Sequence, residues 1–241
     1  MLFAVGRRPN LDVLNLSAAG VEWTKRGVSI RRGGQTNVPN VYAVGDVTPT
    51  SAFTHSANAQ GRRLVRRLAL PWLPLLSSEP TYPSATFTDP EVAQVGPPLR
   101  SLQDRYHPKL LTTLRVDFKD TDRGYTQGLQ YGFVLIHAVR LTGRILSATV
   151  VAPHASEMIS VLTLAVTRRI SLYALSGLVI PYPTLIEAIK KAADNFVFAT
   201  LPKLPREFAA YARYRFATPA TEVYKPSSAE GATTGHRDAA A

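Results

Sequence analysis

The sequence predicts an α/β segment followed by an α+β domain of antiparallel sheet with helices, and then a disordered C-terminal tail. Three observations carry this reading. The β-branched and aromatic run Val41-Tyr42-Ala43-Val44 stops at Gly45-Asp46 and gives way to helical spacing at Ala57, Leu64 and Leu68, which is the strand–turn–helix order of an α/β unit. Three β-rich stretches, at about residues 111–118, 133–139 and 145–151, come before two helical patterns, and strands followed by helices indicate an α+β arrangement. Residues 218–241 are rich in Ala, Ser, Thr, Pro and Gly, a composition that buries too little apolar surface to order a chain.

The bulk properties bound the function classes. The 241 residues suffice for one large or two ordinary domains, and a hydrophobic content of 45% supports a proper core. No apolar run approaches a membrane span. Leu70-Pro71-Trp72-Leu73-Pro74-Leu75-Leu76 is short and broken by proline, and reads as a packed connector. Arg7-Arg8-Pro9 interrupts the apolar start, so no secretory pattern is expected. Cysteine is absent, which excludes disulfides, thiolate metal sites and thiol redox chemistry in these residues. A cytoplasmic protein without a membrane partner is expected.

The net charge of +11 raises nucleic acid as a partner. The charge comes largely in doublets such as Arg62-Arg63, Arg66-Arg67 and Arg168-Arg169. No helix-turn-helix, RNP or zinc-finger pattern accompanies them. Solvated faces are the expectation, with no nucleic-acid partner. His107, His137 and His154 show no metal-ligand spacing, so no metal site is expected.

Gly45 and Asp46 are the first candidate site. Glycine at a strand end lets a backbone or ligand approach closely. A carboxylate at the carboxyl end of a strand lies where open α/β sheets bind ligands, and it accepts hydrogen bonds from sugar or polyol hydroxyls. Ser51 or Thr54 is the expected cap of the helix that follows, whose start carries partial positive charge.

The stretch from Val41 to Val47, with Thr54-His55 and Gly61-Arg62 after it, resembles the second flavin-contact motif of the pyridine nucleotide–disulfide oxidoreductases, a family that includes lipoamide dehydrogenase and mercuric reductase. Residues 1–40 resemble the end of the family's NAD(P)-binding domain: Phe3-Ala4-Val5 as a strand, then the Arg7-Arg8-Pro9-Asn10 crossover and the return through Thr36-Asn37-Val38-Pro39-Asn40. Residues 41–79 then resemble the C-terminal part of the FAD-binding domain. The run from Pro83 to Gly96 resembles the opening of the dimerisation domain, which the resemblance extends over residues 80–203. Residues 204–241 are left as a helix, near 207–216, and the tail.

The resemblance implies FAD as cofactor, held at Gly45, Asp46, Thr54 and His55, and NAD(P)H as hydride source in the intact enzyme. It implies a homodimer through residues 80–203. It also places Ile180-Pro181-Tyr182-Pro183-Thr184-Leu185-Ile186-Glu187 at the family's active-site motif, where a His and a Glu serve as acid and base on the partner subunit's dithiol. Glu187 is in place, but Tyr182 stands at the His position. A phenol of pKa ~10 is a poor base near neutrality, so Tyr182 is better suited to donating a hydrogen bond or stacking on substrate. Tyr182 and Glu187 are the candidate catalytic residues. Asp122-Arg123 and Ala155-Ser156-Glu157 match structural positions of the family, expected to act through ion pairs and helix capping. No GxGxxG turn and no Cys pair occur. The chain by itself is therefore expected to be inactive: one piece of an enzyme, or else a non-catalytic dimerisation module or an orphan half that pairs with a separate N-terminal chain.

Overall fold

A computed structural model describes residues 1–31, 33–50, 52–72 and 80–216. The expected tail, residues 73–76 of the expected connector and Ser51 lie outside the described residues. Within the connector, Leu70 and Trp72 are exposed rather than packed.

The front of the chain folds around a small core of Leu11, Val21 and Val28, flanked by Leu16, Ile30, Val38, Val41, Ala43 and Val47. A short hairpin, β1 (Trp23–Thr24) and β2 (Gly27–Val28), frames one side. Asn37 ties the return segment to it: its side-chain amide donates to the Gly20 carbonyl at 2.8 Å, and its oxygen accepts from the Glu22 amide at 2.9 Å. Residues 41–44, expected as a buried strand, form only a single bridge between Tyr42 and Gln35. They fold back on residues 34–36, with the Ala43 amide on the Gly34 carbonyl at 2.8 Å. A strand needs a ladder of neighbours, and the described residues offer none beyond this return. The expected strand at residues 3–5 is likewise absent, and Phe3 and Val5 are exposed.

A 3-10 turn at Gly45–Val47 leads into α1 (Thr54–Ala69). Arg7 reaches back to this junction and donates to the Ala52 carbonyl at 3.0 Å, which ties the crossover motif to the entry of α1.

The second domain is a five-stranded antiparallel sheet. Its strands are β3 (Ser84–Thr86), β4 (Glu91–Val95), β5 (Leu111–Asp117), β6 (Phe133–Val139) and β7 (Ile145–Ala152), in spatial order β3-β4-β7-β6-β5. The three longest fall within a residue of the expected stretches. Strands β6 and β7 each have a buried face set by their alternation: Val134, Ile136 and Ala138 of β6, and Ala148, Val150 and Ala152 of β7. The expected turn at Thr142-Gly143 closes the β6–β7 hairpin, with the Gly143 amide on the Val139 carbonyl at 2.8 Å.

Two short helices, α2 (Leu99–Gln103) and α3 (Asp122–Thr126), lie in the connections between strands. After β7 come α4 (Ala155–Thr167), α5 (Leu172–Ser176), α6 (Glu187–Thr200) and α7 (Leu204–Arg215). Helix α4 packs on β4 and β7, and α6 on β5 and β6. Ala188, Ala192 and Ala193 are fully buried on α6, and such small side chains let the helix lie close to the sheet. Helix α6 begins at Glu187. Residues 184–186 wind as a tighter turn, in which the Glu187 amide reaches the Thr184 carbonyl at 3.2 Å.

Candidate functional site

The turn Gly45–Val47 sits against the first turns of α1 and has little freedom. Gly45 is buried at φ +74°, and a Cβ there would stand 3.0 Å from the Ala57 methyl. Only glycine takes this backbone and this contact without strain. The Gly45 amide donates to Gln60 Oε1 at 2.8 Å, and Gln60 Nε2 donates to Thr50 Oγ1 at 3.2 Å. Thr48 Oγ1 donates to the Gly45 carbonyl at 2.7 Å. Beside this fixed turn, Asp46 is exposed. Gln60 was missed by the sequence reading. The available signal was the polar spacing Ser56, Gln60 on the inward face of a helix otherwise short of buried apolar residues.

The cap expected from Thr54 is not what starts α1, and Ser51 lies outside the described residues. Thr54 is the first helical residue and Phe53 stands at the cap without a side-chain bond to the helix. His55 is exposed at this end, where its ring stacks on Phe53 at 5.3 Å and its Nε2–H donates to the Pro83 carbonyl at 2.7 Å. It thus braces the start of α1 against the segment that opens the sheet domain.

The second group lies on the sheet domain. The Tyr182 hydroxyl donates to Asp122 Oδ2 at 2.6 Å, and this bond is the first cause that raises the phenol's pKa above the ordinary value, ahead of desolvation and the nearby carboxylates Asp122 and Glu187. The structure therefore joins Tyr182 to Asp122, a residue expected to be only structural. Glu187 is the first residue of α6, and its Oε2 is buried without a hydrogen-bond partner among the described residues. Ser156, at the other structural position, bonds Glu91.

Comparison with known proteins decides the family. The description "Pyridine nucleotide-disulphide oxidoreductase, dimerisation domain" matches residues 82–193, and "Pyridine nucleotide-disulphide oxidoreductase" matches residues 1–61. The chain belongs to the pyridine nucleotide–disulfide oxidoreductases. It is 34% identical to a mercuric reductase of Acidithiobacillus ferrooxidans over 81% of this chain and 35% of that protein. It is 33% identical to a dihydrolipoyl dehydrogenase of Halobacterium salinarum over 81% of this chain and 40% of that protein. Among solved structures, LpdA from Mycobacterium tuberculosis superposes with a TM-score of 0.71 at 30% identity, over 80% of this chain and 42% of that one. The HOCl-induced flavoprotein disulfide reductase RclA from Escherichia coli shares the fold at a TM-score of 0.70 and 19% identity, over 79% of this chain and 44% of that one. The chain thus spans about two fifths of the length of these oxidoreductases. It carries the family's dimerisation domain, and among the described residues no helix is long and apolar enough to cross a membrane.

Proposed function

We propose that this chain supplies the second flavin-contact segment and the subunit interface of an FAD-dependent NAD(P)H oxidoreductase. The observation that carries the proposal is the Gly45–Val47 turn, locked by Gln60 and Ala57, which presents Asp46 beside the start of α1. These residues fit FAD. Asp46 accepts hydrogen bonds from a polyol chain, and the N-terminal end of α1 offers amides and partial positive charge to an electron-rich group. When bound, FAD supplies the relay between nicotinamide hydride and a disulfide, metal ion or quinone.

The chain's own residues hold and orient. Gly45, Asp46, Thr54 and His55 form the flavin contact. Residues 80–203 form a homodimer whose isologous interface builds two equivalent sites, and Tyr182 and Glu187 line the site of the second copy. The described charge lies on solvated faces, and neither nucleic acid nor membrane enters the reading. A cytoplasmic location completes it.

A second reading has the chain as a non-catalytic dimerisation module, or as a half that pairs with a separate N-terminal chain. The test is a titration of FAD with the chain, followed by flavin fluorescence anisotropy, for wild type and Asp46→Ala. Binding that the substitution abolishes supports the flavin contact. Binding that it leaves unchanged argues against the contact at Asp46.

A further inference from the structure

Tyr182 has one proton, and it is committed to Asp122. A carboxylate near neutrality accepts only, so the direction of the 2.6 Å bond is fixed from the phenol to Oδ2. What Tyr182 keeps for anything else is its oxygen lone pairs, on a side chain that is 71% exposed. Donation to an anion also draws electron density onto the phenol oxygen and strengthens it as an acceptor.

We propose that Asp122 is a positioning residue that turns Tyr182 into a hydrogen-bond acceptor for a proton-bearing substrate group. This rests on the reading of Tyr182 as a site residue and deepens it. On sequence alone the phenol is a donor to substrate; in the structure that capacity is already used.

The support for Asp122 is rigid. The Thr121 hydroxyl accepts from the Gly124 amide at 3.1 Å and donates to the Phe118 carbonyl at 2.8 Å. Phe118 is fully buried, and a Cβ on Gly124 would collide with its carbonyl, so α3 has no room to shift. On the other side, Thr184 Oγ1 donates to the Pro181 carbonyl at 2.9 Å and steadies the loop that carries Tyr182. The charges that act on the phenol are Asp122 of α3 and Glu187 of α6. Lys191 Nζ is held by the Asp120 carbonyl. Glu187 and Asp122 both favour the neutral phenol, so the proton stays in place through the neutral range.

The test uses the whole chain with 3-fluorotyrosine at position 182, followed by fluorine NMR. The phenol is expected to titrate at higher pH in the native chain than in the urea-unfolded chain, and Asp122→Ala brings the native midpoint down toward the unfolded one. Equal native and unfolded midpoints in the wild type overturn the pairing, a comparison that holds even if Asp122→Ala does not fold. Dithiothreitol is expected to move the fluorine resonance of the wild type more than its S-methylated form does. Equal responses to the two probes overturn the acceptor role. Neither readout needs flavin or electron transfer, so failure here is separate from failure of FAD binding.

Discussion

Glu91 on β4 holds the first turn of α4 through one oxygen: its Oε2 accepts from the Ser156 amide at 2.9 Å and from the Ser156 hydroxyl at 2.7 Å. The amide bond comes first and the hydroxyl bond second in lowering the pKa of this carboxyl. A group whose folded pKa is depressed stabilises in full above its unfolded value, ~4.3, and loses that contribution as pH falls through the folded value. Glu91→Ala is expected to cost about 1 kcal/mol at neutral pH, the worth of a lost helix cap, and to flatten the acid limb of stability. Urea unfolding between pH 7 and pH 3 reads both, and an unchanged acid limb would argue against the contact.

His137 is the buried counterpart. It lies on β6 opposite Ser147, shares a hydrogen bond with Thr113 Oγ1 through Nδ1 at 2.9 Å, and its pKa is lowered by burial. The native state therefore resists protonation while the unfolded chain takes a proton below ~6.5. Stability is expected to be complete above that value and to decline as pH falls from it through the lower folded pKa. His137→Leu should remove this decline, and a variant that keeps the wild-type slope over that window refutes the assignment.

At the flavin turn, stability and binding are expected to separate. Asp46 is exposed, so Asp46→Ala should weaken FAD binding and leave thermal stability within about 0.5 kcal/mol. Gln60 holds the Gly45 amide, so Gln60→Ala should weaken binding and cost about 1–2 kcal/mol for the lost bond. Thermal melts beside FAD titrations distinguish the two, and identical behaviour of both variants would break the distinction.

Helix α7 is latched rather than buried. Arg140 and Glu207 form a two-pronged pair, with Nη2 on Oε1 at 2.6 Å, while Tyr214 stacks on His107 at 4.6 Å and accepts from Lys109 Nζ at 3.0 Å. Glu207→Gln is expected to speed hydrogen exchange of the α7 amides about tenfold, the equivalent of ~1.4 kcal/mol of local opening, without change in the central strands. Exchange that rises equally in β6 and β7 would mean that the pair stabilises the whole domain.

The sheet domain exposes large apolar side chains, among them Val179 at 93% and Phe198 at 77%. Homodimer formation through residues 80–203 predicts that sedimentation velocity finds a dimer, and that Phe198→Glu shifts it toward monomer while far-ultraviolet circular dichroism stays constant. A wild-type chain that sediments as a monomer at micromolar concentration would defeat this expectation.

The sheet was legible because β5, β6 and β7 carry their partners within the chain, and their alternation registers which side faces the helices. Residues 41–44 carry the same β-branched signal but fold back on residues 34–36, since composition cannot supply a neighbouring strand. The Gly45 turn was legible as a close approach. Its lock was not, because Gln60 acts fifteen residues away through a helix whose inward face holds Ser56. Asp122 was read as structural for the same reason: its partner Tyr182 lies sixty residues on, and only the packed domain brings the two together.

The strand order has a consequence for how the domain comes into being. Strand β4 pairs with β7 from Glu91 against Ala152 to Val95 against Ala148, so the middle of the sheet joins the second of its strands to be synthesised with the last. Until β7 has left the ribosome, β3 and β4 can pair only with each other, which leaves the β4 edge that β7 will cover open, and β5 and β6 likewise leave the β6 edge open. Such non-local closure is slow and leaves edges available to other nascent chains. Polypeptides halted before residue 145 should therefore be the ones that chaperones retain, whereas release past α4 should free them.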